Sequence, residues 1–263
     1  MTRQDQSDVI AFLSSLSGVT ERHDTHISII ILSDRRAYKL KRAVCFPYLD
    51  FSTASQRLSA CQRELELNRR TAPSLYVAVR RITREESGRL TFDGSGELVD
   101  SVVEMVRFDQ RDLFSQIAER NELGPALLTN TALAIADFHR DATIDDRRSG
   151  SEIMAAVLRM NSESIRAVGI FSADRTHVLE MAFKASLDRL GWLLDERSRS
   201  GKVRRCHGDL HLRNICLLDG SPTLFDCLEF DEDLATIDVL YDLAFLLMDL
   251  WGRGLRAEAN WVF

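Results

Sequence analysis

The sequence predicts an α+β protein whose strands and helices occupy different stretches of the chain. Apolar runs with strand character gather in the first hundred or so residues, one long amphipathic helix interrupts them, and helical periodicity dominates the remainder. Segregation of this kind argues against an alternating parallel sheet and for two parts that share an interface. With 263 residues and 45% hydrophobic content, the chain can bury a substantial core.

Taken in order, Asp8 to Leu16 has helical spacing, and THISIIILSDRRAYKLKR reads as a strand, a polar turn at Ser33 to Arg36 and a second strand. Ser55 to Arg70 carries Leu58, Cys61 and Leu65 on a long amphipathic helix, which the Ala72-Pro73 break ends. Strands return at Leu75 to Ile82 and Leu98 to Val106, separated by the glycine-containing turn region ESGRLTFDGSGE. Beyond these, Asp112 to Glu119, Pro125 to Arg140, Ser151 to Glu163 and Asp174 to Ser198 have helical periodicity, with short strands at Arg204 to Cys206, Ile215 to Leu218 and Thr223 to Phe225. The expected division is a strand-rich part over 1–108 and a mainly helical part over 109–263, joined near Glu104 to Gln110. The helical part is expected to be cut short, because WGRGLRAEANWVF stops inside a helical pattern.

A formal net charge of -6 with 28% charged residues gives no whole-chain electrostatic case for nucleic acid or an anionic membrane as partner. The five cysteines form no CxxC pair and are an odd set, which fits neither a disulfide framework nor a zinc ribbon; buried free thiols in a reducing compartment are expected. The polar N-terminus lacks the apolar core of a signal peptide and no run reaches membrane-span length, so a cytoplasmic protein is expected.

Chemistry concentrates in HGDLHLRNICLLDGSPTLFDCLEFDEDLATIDVLYDLAFLLMDL, from His207 onward. Asp209 precedes Asn214 by five residues; a short strand, an Asp-Gly-Ser-Pro turn, a second strand and Asp226 follow. Such a hairpin can gather all three polar side chains at one end. Phosphoryl transfer asks for a carboxylate that accepts the proton of an attacking hydroxyl and for oxygen ligands that hold Mg²⁺ against nucleotide phosphates. Asp209 suits the first task, Asn214 and Asp226 the second. A cation for the phosphates can come from Lys39 or Lys41, two apart on a strand and so on one face, with Glu64 or Glu66 of the long helix as its partner.

Other polar residues have plainer readings. His207 and His211 are expected to orient the loop rather than bind metal, and His139 to face the core. Asp238 and Asp242, inside an apolar pattern, should cap or brace backbone. Cys206, Cys216 and Cys227 should pack as small apolar residues. Glu229, Asp231, Glu232 and Asp233 would suit a cleft for a cationic acceptor, or be a solvated loop.

HGDLHLRNI, LFDCLEF and IDVLYDLAFL resemble the catalytic loop and metal-binding segment of aminoglycoside phosphotransferases and their choline-kinase-like relatives, which share the protein-kinase fold. AYKLKRAV, PYLDF, RELELNRRTAP with the LY that follows, and YDLAFLLMDL are similar to a bacterial group in which such a domain precedes a P-loop ATPase-like domain; no GxxxxGK[ST] motif occurs in this chain. The resemblance implies a two-lobe protein-kinase-like fold with a catalytic loop over 207–214 and a metal-binding segment over 223–231. It implies Asp209 as the catalytic residue, Asn214 and Asp226 as metal ligands, Lys39 on the phosphates paired with Glu64, and Met105 at the adenine pocket. The expected cofactors are ATP or GTP and Mg²⁺, the acceptor a small-molecule hydroxyl, and a P-loop ATPase-like domain outside this chain a further partner. The earliest strands lack a GxGxxG loop. A catalytically inactive nucleotide-binding or regulatory module is the alternative; a two-metal phosphohydrolase would need a GNH[DE] motif, which is absent.

Overall fold

The structure, a computed structural model, describes residues 5–46 and 49–263; Pro47 and Tyr48 of the PYLDF segment lie outside the described residues. The chain begins with α1 (Ser7–Ser14) and the strands β1 (Val19–Asp24), β2 (Ser28–Ser33) and β3 (Arg36–Lys41), followed by the two-residue strands β4 (Cys45–Phe46) and β5 (Leu49–Asp50). Next come α2 (Ala54–Asn68), β6 (Tyr76–Arg84), β7 (Leu90–Phe92) and β8 (Glu97–Val106). Six of these strands form one antiparallel sheet in the order β1-β2-β3-β8-β6-β7.

Strand alternation gives this sheet two apolar faces. Ile29, Ile31, Leu40, Ile82 and Val102 pack with Val9 and Leu13 of α1 on one side. On the other, Leu32, Ala37, Val103 and Met105 pack with Cys61 of α2 and with Leu75 and Tyr76. Lys39 is two residues from Ala37, so the pleat points it to the α2 side. Helix α2 starts at a capping box, in which the Thr53 side chain accepts from the Gln56 N–H and the Gln56 side chain accepts in return from the Thr53 N–H.

After this sheet the chain is mainly helical: α3 (Phe114–Glu119), α4 (Pro125–Asp141), α5 (Gly150–Val168), α6 (Ala173–Arg199), then β9 (Val203–Arg205), β10 (Ile215–Leu218), β11 (Ser221–Leu224), α7 (Glu232–Ala235), β12 (Thr236–Asp238), α8 (Val239–Gly252) and α9 (Arg256–Val262). Phe114, Ile135, Leu210, Leu212, Ile215 and Leu246 belong to the main core of this part, and Ile153, Val203, Cys206 and Ile237 to a second cluster. The observed fold is therefore α+β, a strand-rich sheet with one long helix followed by a helical part, as a protein-kinase-like arrangement requires. Among the described residues no helix is long and apolar enough to cross a membrane.

Strands β1, β4, β5, β7 and β12 were not assigned from the sequence pattern. The β1 segment VTERHD is an edge strand with five of its six residues exposed, so it carries no hydrophobic alternation. Strand β12 pairs with β9 and runs directly into α8, where its three residues merge with the helical apolar pattern. One cysteine departs from expectation: Cys45 is exposed on β4, whereas the other four are buried free thiols.

Candidate active site

The β10–β11 hairpin turns through Asp219 and Gly220, whose φ values of 50° and 77° are the left-handed pair of a two-residue hairpin turn. Its strands return to the same end, where the Phe225 N–H donates to the Asn214 carbonyl at 3.0 Å. Asn214 thus stands just before one strand and Asp226 just after the other. Asp226 itself has φ 63°, a conformation uncommon for a residue with a side chain. Its N–H donates to the Tyr76 hydroxyl at 3.1 Å, and the Cys227 N–H donates to Asn68 Oδ1 at 2.9 Å. Strand β6 and helix α2 therefore both hold the segment that aims Asp226.

Lys39 Nζ donates to Glu64 Oε1 at 2.9 Å and also contacts Asp226 Oδ1. Burial disfavours its charge, yet Asp226 and Glu64 outweigh burial and hold the ammonium well above its ordinary pKa. The carboxyl of Asp226 is lowered: burial works against ionisation, and Lys39 overcomes it. Lys41 lies on the same face and joins Glu64 Oε2 to Glu229 Oε1, with all three side chains nearly or wholly buried. Glu66 is exposed and pairs with Arg63 at 3.2 Å. The structure thus gathers Lys39, Glu64 and Asp226, with Lys41 one strand step away and Glu66 outside.

Asp209 is half-buried. Its backbone carbonyl and Oδ2 accept from Asn214 Nδ2 at 2.9 and 3.1 Å, and His211 Nε2 lies 3.4 Å from the same Oδ2. Burial would raise its pKa, but His211, His207 and Asn214 together lower it, so the carboxylate stays ionised. Asp209, bonded to Asn214, and Asp226, next to the Phe225 N–H that the Asn214 carbonyl accepts, thus stand at the same end of the hairpin. Asn214 has its amide nitrogen committed to Asp209, so its amide oxygen is the atom that could hold a metal.

The loop carrying Asp209 is braced from beneath. Asp242 of α8 accepts from the N–H groups of His207 at 3.2 Å and Gly208 at 2.8 Å, and its Oδ2 also lies 2.8 Å from His139 Nε2. Gly208 has φ 83°, and a Cβ there would come within 2.8 Å of the Ala235 Cβ, so the position needs glycine on both counts. His207 is buried; Nε2 meets the Phe225 carbonyl at 2.9 Å and Nδ1 accepts from the Asp209 N–H at 3.3 Å, joining the two segments.

Met105 on β8 pairs with Ala37 and Tyr76 across the sheet and is buried, with Val106, Phe108, Ile30, Leu218 and Phe225 packed about its cluster. Phe108, just past β8, meets Phe225 edge-on at 5.6 Å between centroids. This apolar group lies where the sheet meets the hairpin.

The sequence reading missed Tyr76, Asn68 and Glu229 as parts of the site. Each is a polar residue in a strand, on a helix or in an acidic run, and only the fold shows what it holds. The acidic run divides, with the Glu229 side chain buried and Glu232 and Asp233 exposed to solvent. Glu229 is buried on Lys41, Asp231 caps α7, Glu232 pairs with Arg63 and Arg205, and Asp233 pairs with Arg148. Asp238 caps α8 and takes a two-point contact from Arg197 at 2.6 and 2.7 Å.

The model of the phosphotransferase enzyme family matches residues 50–260. An uncharacterized protein of Mycobacterium tuberculosis is 31% identical over 232 residues, covering 86% of this chain and 45% of its own length; an uncharacterized protein of Mycobacterium bovis matches to the same extent. The chain spans about half the length of the curated relatives it matches. A crystal structure of an aminoglycoside phosphotransferase from Alicyclobacillus acidocaldarius aligns over all of this chain and 76% of that one, with 15% identity and a TM-score of 0.42. The family match over most of the chain establishes that this chain belongs to the phosphotransferase enzyme family.

Proposed function

We propose that this chain moves the γ-phosphoryl group of ATP or GTP to a hydroxyl of a small molecule. The observation that carries this reading is Lys39, whose ammonium joins Glu64 of α2 to Asp226, beside the Asp209–Asn214 pair. That constellation supplies a cation for the phosphates, oxygen ligands for a metal and a proton acceptor.

Asp209 acts as the catalytic residue in this reading. Its Oδ2 is taken by Asn214 and His211, which leaves Oδ1 to orient the acceptor hydroxyl and receive its proton. Asn214, through its amide oxygen, and Asp226, half-exposed, are hard oxygen donors that fit Mg²⁺. Held by these two residues, Mg²⁺ would supply positive charge that offsets the phosphates. Lys39 turns from Asp226 toward the phosphates while Glu64 keeps it oriented. Met105 and the apolar residues around it border the nucleotide base.

The test is thermal stability with and without Mg²⁺-ATP and Mg²⁺-GTP. Saturation at about a hundred times Kd adds ~2.7 kcal/mol, a rise of roughly 5–10 °C for a chain of this size. Asp226→Ala should lose the Mg²⁺-dependent part of the rise. A folded wild-type protein whose midpoint moves with neither nucleotide would overturn the reading.

A further inference from the structure

We propose that Lys41 and Glu229 are a positioning pair that fixes Glu64, and with it α2, whether or not a nucleotide is bound. The proposal rests on the phosphotransferase reading for its functional meaning, but its structural content stands apart from it. Glu64 divides its two carboxylate oxygens between two lysines, Oε1 to Lys39 and Oε2 to Lys41. The lysines differ in what else they can meet. Lys39 also contacts the half-exposed Asp226, so a phosphate entering the site competes for the Lys39 hydrogens and a cation competes for the Asp226 carboxylate. Lys41 has no exposed side-chain surface and its other ion-pair partner, Glu229, is only 5% exposed, so no ligand reaches it. The Phe51 ring, 5.5 Å from Lys41 Nζ, packs beside the ammonium.

Charge balance shows why the pair is coupled to the site. Glu64, Asp226 and Glu229 face Lys39 and Lys41, three carboxylates against two ammoniums in a buried space. Burial and the neighbouring Glu64 push the Glu229 carboxyl up, against the pull of Lys41. Lys41 thus ties β3, α2 and the chain just beyond Asp226 into one unit, and the Glu64 that orients Lys39 keeps a second hold when Lys39 engages a ligand. Lys41 and Glu229 are positioning residues; they act through Glu64.

The experiment is amide hydrogen exchange over α2 in the ligand-free protein, with thermal midpoints and basal ATP hydrolysis measured alongside. Lys41→Met leaves two buried carboxylates facing one another and should lower the midpoint; the double variant Lys41→Met/Glu229→Gln removes that uncompensated charge and should recover much of it. In the double variant α2 should still exchange about tenfold faster than in the wild type, and hydrolysis should be about tenfold slower. Lys39→Met, which leaves Lys41 on Glu64, should alter ligand-free α2 exchange far less than the double variant does. If the double variant regains wild-type exchange together with its midpoint, the pair only fills space and balances charge, and the proposal is wrong; equal effects from Lys39→Met would also overturn it. Failure of the phosphotransferase reading shows differently, as a wild-type protein that neither binds nor hydrolyses nucleotide, and leaves the exchange result intact.

Discussion

Asp209→Asn is expected to slow phosphoryl transfer by about 10³-fold while leaving Mg²⁺-nucleotide binding within about threefold of wild type. The substitution keeps the shape of the side chain and the bond from Asn214 Nδ2 to the residue 209 carbonyl, so the loop has no reason to move. What it removes, on the proposed reading, is the group that takes the hydroxyl proton. His211, His207 and Asn214 keep the native carboxylate ionised against the effect of burial, and an amide cannot take up that role. Turnover with a hydroxyl acceptor, or basal hydrolysis if no acceptor is known, measures the loss, and the thermal shift with Mg²⁺-ATP measures binding. Turnover within tenfold of wild type would remove Asp209 from the chemistry; loss of both turnover and binding would make it part of the nucleotide site instead.

How much of this was legible in the sequence depends on whether a residue's task is local. The β10–β11 hairpin was legible because Asp219-Gly220 is a turn signal between two apolar runs, and so was the gathering of Asp209, Asn214 and Asp226 that it produces. Lys39 and Lys41 were legible as a pair because a strand has period two, but not which of them meets Asp226, since that is settled by a segment nearly two hundred residues away. Helix α2 shows the opposite case. Its apolar stripe in sequence is Leu58, Cys61 and Leu65, whereas the buried side carries Arg57, Cys61, Glu64, Leu67 and Asn68. Three of those five are polar, and each has a partner in another element: Arg57 meets Asp100 at 2.8 Å, Glu64 the two lysines, and Asn68 the Cys227 N–H. Hydropathy cannot show a helix face that is buried by ion pairing, because the partners that make its burial affordable are distant in sequence. Once the lysines are placed on their face the choice between Glu64 and Glu66 follows, since a helix turns two adjacent-but-one residues away from one another.

Asp242 carries the second large prediction, one of stability. It has no exposed surface and serves three donors, the His207 N–H, the Gly208 N–H and His139 Nε2. Asp242→Ala strands all three in the core and should cost about 3–5 kcal/mol at pH 7, read from urea melts. Asp242→Asn replaces one carboxylate oxygen by a donor that would face a donor, so it should fall only partly short of that loss. Burial alone would raise the Asp242 pKa; His139, His207 and the Gly208 N–H together lower it below its ordinary value. A lowered folded pKa means that the stabilisation is present above the unfolded value of about 3.9 and is lost as pH falls through the folded one. The gap between wild type and Asp242→Asn should therefore hold from pH 7 to about 5 and narrow below about pH 4. Because the same carboxylate sets the backbone that presents Asp209, the surviving folded fraction of Asp242→Asn should also turn over more slowly with little change in nucleotide affinity. A gap that stays constant into acid would mean that the brace does not depend on the Asp242 charge, and a variant with wild-type turnover would mean that the loop holds its shape without it.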